Sequence, residues 1–73
     1  MATIAEAVGA LAYLERTLGA SPSVEQLAEQ MGVSTGTAHK LLKRAVKEGQ
    51  IVQRERKFMT LALARKFDEL KKE

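Results

Sequence analysis

Three glycines, Gly19, Gly32 and Gly49, each follow a run of apolar residues at helical spacing, and each run opens on a hydroxyl residue: Thr3, Ser23 and Ser34. A helix leaves its first amides without partners, and a serine or threonine oxygen accepts from one of them. It commonly ends where a glycine adopts the left-handed conformation. Thr3 with Glu6 and Ser23 with Gln26 also have capping-box spacing. This punctuation predicts a first helix over about residues 3–18, with Ile4, Val8, Leu11, Leu14 and Leu18 on one face. Ser21-Pro22-Ser23 breaks the chain, and a second helix carries Val24, Leu27, Ala28 and Met31 for about two turns. After Gly32 a third helix starts at Ser34, turns Ala38, Leu41, Leu42, Ala45 and Val46 inward, and closes near residue 48. Tyr13 lies off the first stripe, near Gly9, Ala10 and Thr17. It is expected to pack under the last helix or to mark a contact surface.

Beyond Gly49, Ile51-Val52 and Phe58-Met59-Thr60-Leu61 flank the polar stretch Gln53-Arg54-Glu55-Arg56-Lys57, which predicts two short strands around a charged tip. Leu63, Phe67 and Leu70, at i, i+4 and i+7, then predict a closing amphipathic helix. The expected fold class is therefore mainly α with a small β-hairpin. One domain over 1–73 would hold paired helices at about 23–48, the hairpin at about 50–62 and the last helix at about 63–72. A chain of 73 residues buries only about 60% of the surface it exposes when unfolded, and 45% apolar content suffices for one small core. Absence of cysteine removes disulfides and thiolate metal sites. No apolar run reaches the roughly 18 residues of a membrane span, so the expectation is a soluble, cytoplasmic protein.

Charge is unevenly distributed. Residues 1–33 hold Arg16 against four acids, Glu6, Glu15, Glu25 and Glu29, whereas residues 34–58 hold seven cations against Glu48 and Glu55. A basic stripe confined to one segment is the footprint of a polyanion. At 100° per residue, Gly36, His39, Lys40, Lys43 and Lys47 point away from the apolar side of the third helix, with Thr35, Thr37 and Arg44 at the margins. Two short helices joined by a glycine-containing turn form a helix-turn-helix. A recognition helix of that kind sets its N-terminal residues against base edges while flanking cations neutralise phosphate.

The stretch SPSVEQLAEQMGVSTGTAHKLLKRAVKEGQIVQRE resembles the winged helix-turn-helix DNA-binding domain of GntR-type bacterial regulators. The likeness rests on Pro22-Ser23, Leu27-Ala28, Gly32-Val33-Ser34, Thr37, Leu42 and Glu48-Gly49 leading into Ile51-Val52, and covers roughly residues 21–56. It implies DNA contacts from Ser34, Thr35, Thr37 and His39, with wing contacts near Arg54 and Arg56. Thr35 and His39 stand where the family usually has arginines, the favoured guanine readers. The wing turn Glu55-Arg56-Lys57 lacks the family's glycines, which implies a wider turn or a shorter wing.

The expected DNA-binding set is thus Ser34, Thr35, Gly36, Thr37, His39, Lys40, Lys43, Arg44, Arg54, Arg56 and Lys57, in a small prokaryotic, plasmid or phage transcription regulator. Leu63, Phe67 and Leu70 are the candidate seam of a homodimer, and no small-molecule effector domain is expected. The competing reading is a module that docks an acidic protein partner on the same cations. Chemistry is poorly supported. Ser34 and His39 belong to a helix start, one histidine without cysteine makes a poor zinc set, and GVSTG lacks the ending of a phosphate-binding loop. Neither an enzyme nor a cofactor is expected.

Overall fold

Each of the three hydroxyl caps forms where the spacing places it. A computed structural model describes residues 2–71, so Met1, Lys72 (the expected last residue of the final helix) and Glu73 lie outside the described residues. The order is α1 (Ile4–Leu18), α2 (Val24–Met31), α3 (Thr35–Lys47), β1 (Ile51–Arg54), β2 (Lys57–Thr60) and α4 (Leu61–Lys71). The architecture is mainly helical, with one two-stranded antiparallel sheet. Thr3 and Ser23 make complete capping boxes with Glu6 and Gln26. The Ser34 hydroxyl accepts the Thr37 N–H at 3.2 Å and has no glutamate or glutamine to return the bond. Gly32 and Gly49 take left-handed φ values of 71° and 76°. Around them the Val33 N–H reaches the Ala28 carbonyl and the Gln50 N–H reaches that of Ala45, so α2 and α3 both end in the six-to-one bond of a Schellman motif.

The helices close on one core. Ala7 and Leu11 of α1, Leu27 of α2, Leu42 and Ala45 of α3, Ile51 of β1 and Phe58 of β2 form a single buried cluster, with Ile4, Val8, Leu14, Val24, Met31, Leu41 and Val46 packed around it. Leu18, at the end of the predicted α1 stripe, stays 48% exposed, in an open groove beside Gln26, Glu29 and Gln30 of α2. Tyr13 is equally exposed, which leaves it a surface residue and not one packed under the last helix.

The hairpin differs from its expected form. Its strands run through the charged stretch, pairing Ile51 with Thr60, Val52 with Met59, Gln53 with Phe58 and Arg54 with Lys57. Only Glu55 and Arg56 remain in the turn, and both are left-handed, with φ 50° and 70°. Two consecutive left-handed residues are what a type I′ turn requires, usually supplied by Asn-Gly. The tight turn is therefore obtained without glycine, at a backbone cost of about 1–2 kcal/mol per residue. Glu55→Asn combined with Arg56→Gly should accordingly raise the urea midpoint, by about 1 kcal/mol of stability. An unchanged or lower midpoint would show that the turn carries no such strain.

The last helix begins two residues earlier than the apolar spacing suggests, at Leu61, because Thr60 caps it. The Thr60 hydroxyl oxygen accepts the Leu63 N–H at 3.3 Å. That threonine is itself fixed from α1: the Glu15 carboxylate accepts its N–H at 2.7 Å and its hydroxyl at 2.6 Å. A carboxylate at a helix N-terminus also meets the positive end of the helix dipole. α4 then crosses the sheet, burying Ala64 and covering Met59. No helix among the described residues is long and apolar enough to cross a membrane.

Candidate nucleic-acid interface

α3 offers the most basic surface on the molecule because its two faces divide cleanly. Ala38, Leu42 and Ala45 are fully buried, while Gly36, His39, Lys40, Lys43, Arg44 and Lys47 are all exposed. Thirteen residues carry four cations and no acid. Part of this arrangement serves the helix itself, since Arg44 and Lys47 in the last turn lie at the negative end of its dipole. Lys40 and Lys43 have no such local reason to be basic.

At the start of α3 the hydroxyls are occupied. Ser34 donates to the Thr37 Oγ1 at 3.0 Å while accepting that residue's N–H, so these two predicted contacts already serve as the cap. Thr35 and Gly36 are exposed, and the space beside Gly36 is open. A backbone without a side chain at this position can come close to a flat or grooved partner.

The hairpin docks on one flank of α3 and sorts the remaining candidates. Paired residues of an antiparallel sheet project to the same side, and successive residues to opposite sides. Ile51, Gln53, Phe58 and Thr60 therefore share one face, and Val52, Arg54, Lys57 and Met59 share the other. The first face meets α3. Phe58 is buried against the core and presents its ring to His39, with centroids 5.9 Å apart and planes at 76°. Gln53 accepts a hydrogen bond from the Lys43 ammonium at 2.8 Å.

Arg54 and Lys57 project from the opposite face, beneath α4. Arg54 forms a bidentate ion pair with Asp68 of α4, at 2.6 and 3.1 Å. The hydrogen bond to Asp68, then its charge, raises the arginine pKa further above its ordinary value. The structure thus separates the predicted set. His39, Lys40, Lys43, Arg44 and the helix start form one surface, Arg56 sits in the turn at the end of the hairpin, and Arg54 and Lys57 lie behind the sheet. Two partners of that surface, Gln53 and Phe58, escaped the sequence reading. Carrying the period-two alternation of Ile51 past Val52 would have placed Gln53 on the inner face.

Of the candidate seam residues, Leu70 is 66% and Phe67 37% exposed, while Leu63 is half-buried in an open groove with Ala12, Glu15 and Arg16 of α1. Among the described residues no three His, Asp or Glu side chains gather to hold a metal ion. Comparison with known proteins finds no family model that matches the chain, and no significantly similar curated protein or solved structure.

Proposed function

We propose that the chain is a winged helix-turn-helix module that binds double-stranded DNA, with α3 in the major groove, the hairpin as the wing beside it, and transcription regulation as its role. One observation carries this reading: α3 turns four cations and no acid outward, away from a face on which Ala38, Leu42 and Ala45 are buried. An α-helix fits the major groove of B-DNA, which is about 12 Å wide. Thirteen residues span about 20 Å, enough to lay the first turn against bases while the cations reach the flanking strands. Base contact falls to Thr35, Gly36 and His39, and phosphate contact to Lys40, Lys43, Arg44, Lys47 and, from the turn, Arg56. The three residues Gly32, Val33 and Ser34 between α2 and α3, and the resemblance carried by residues 21–56, support the same reading.

Fluorescence anisotropy with a mixed-sequence duplex, measured across a salt series, tests it. Each phosphate neutralised contributes about −0.9 to the slope of log K against log salt. Five cations on this surface predict a slope of about −4.5. A protein that leaves the duplex free even at about 50 mM salt has no such surface. The basic face of α3 would then belong to an acidic protein partner.

A further inference from the structure

Among the described residues, Lys43 is the one cation of α3 that a second element holds. Its ammonium donates to the Gln53 Oε1 at 2.8 Å, across from α3 to β1. An ammonium has only donors, so the carboxamide must turn its oxygen to the lysine and its nitrogen away. The two N–H donors of that nitrogen make no hydrogen bond among the described residues. Gln53 is also one half of a cross-strand pair whose other half, Phe58, meets His39. One rung of the sheet therefore contacts residues 39 and 43, which are one helical turn apart on the same side of α3. Lys40 and Lys47, by contrast, have no side-chain partner among the described residues, and their long side chains lose rotamer freedom whenever they engage a ligand.

We infer that Lys43 and Gln53 form one site for the DNA backbone: Gln53 holds the Lys43 ammonium in place, and its own N–H donors join that ammonium on a single phosphate. The inference rests on the DNA-binding reading and deepens it. A phosphate presents several acceptor oxygens, so an ammonium and a carboxamide side by side can donate to it together. Part of the cost of ordering the lysine is met when the protein folds, not when DNA binds.

The test is a double-mutant cycle on duplex affinity, with wild type, Lys43→Met, Gln53→Ala and the double variant, plus Gln53→Glu, each followed across salt. Gln53 lies on a partly exposed strand position, and thermal melting of each variant establishes that it is folded at the assay temperature. Lys43→Met should make the salt slope shallower by about one. Gln53→Ala should leave the slope unchanged yet weaken binding by about three- to tenfold with Lys43 present. In the Lys43→Met background it should cost less than about twofold. Gln53→Glu should reduce the slope by about one, because the new carboxylate neutralises the ammonium beside it.

A wild-type protein that binds DNA while the two losses simply add would overturn this inference and leave the DNA-binding reading intact. An unchanged slope in Gln53→Glu would do the same. A wild-type protein that ignores duplex DNA at every salt concentration would take both down together.

Discussion

Phe58→Ala is expected to remove a large share of the stability of this protein. Phe58 is the largest fully buried side chain and, with Ile51, joins the hairpin to the helical core. Truncating a buried phenylalanine costs about 3–5 kcal/mol in lost transfer energy and cavity. A chain of 73 residues has a total stability of about 4–11 kcal/mol. The variant should therefore melt at least about 12 °C below the wild type, or be largely unfolded at room temperature. Its ring also backs His39, so the outer surface of α3 loses a support along with the core. Leu70→Ala, by contrast, truncates a mostly exposed residue of α4 and should change stability by less than about 0.5 kcal/mol. Circular-dichroism melts of the two variants decide the matter. A Phe58→Ala protein within about 1 kcal/mol of the wild type would mean that the hairpin is not part of the folding unit.

The same residue shows where the sequence is legible and where it is not. Helices α1 to α3 are readable to within a residue, because caps, apolar period and terminal glycines all act over three to five residues of chain. Thr3, Ser23, Gly32 and Gly49 each mean the same thing in the sequence as in the structure. The buried faces of α2 and α3 follow from that periodicity, and with them the outward set of α3.

The hairpin and α4 depend on contacts between distant residues, which local patterns do not encode. Nothing near Thr60 announces that Glu15, 45 positions earlier, holds it. Nothing near Arg54 announces Asp68. The charged run 53–57 reads as a loop tip, yet four residues of pairing and a turn of two left-handed residues turn it into strand. Once the register is known, alternation alone puts Gln53 beside α3 and turns Arg54 and Lys57 to the other side. The candidate surface was thus legible where it belongs to one helix, and illegible where a second element completes it.

Reversing the charge of Lys40 and Lys47 should weaken duplex binding by about 100-fold or more at 0.1 M salt. Both residues project from the crest of α3 and have no side-chain partner among the described residues, so the change leaves no buried group stranded. A salt slope of about −0.9 per phosphate means that each contact is worth about tenfold between 1 M and 0.1 M salt. Losing two contacts therefore costs close to 100-fold, and the repulsion of two carboxylates from the phosphates adds to it. The slope itself should become shallower by about two.

The decisive comparison is Lys66→Glu with Lys71→Glu. It makes the same change in net charge on α4, which packs across the sheet face turned away from α3. If attraction to DNA came from the net charge of the whole molecule, both pairs would lose affinity alike. If α3 lies in the groove, the α4 pair should lose less than about tenfold, mostly through longer-range potential that salt screens within about 10 Å at 0.1 M. Both double variants exchange exposed residues, so both should melt close to the wild type. Equal losses in the two would place the duplex somewhere other than α3. A large loss confined to Lys40 and Lys47 would fix the recognition helix before any operator is known.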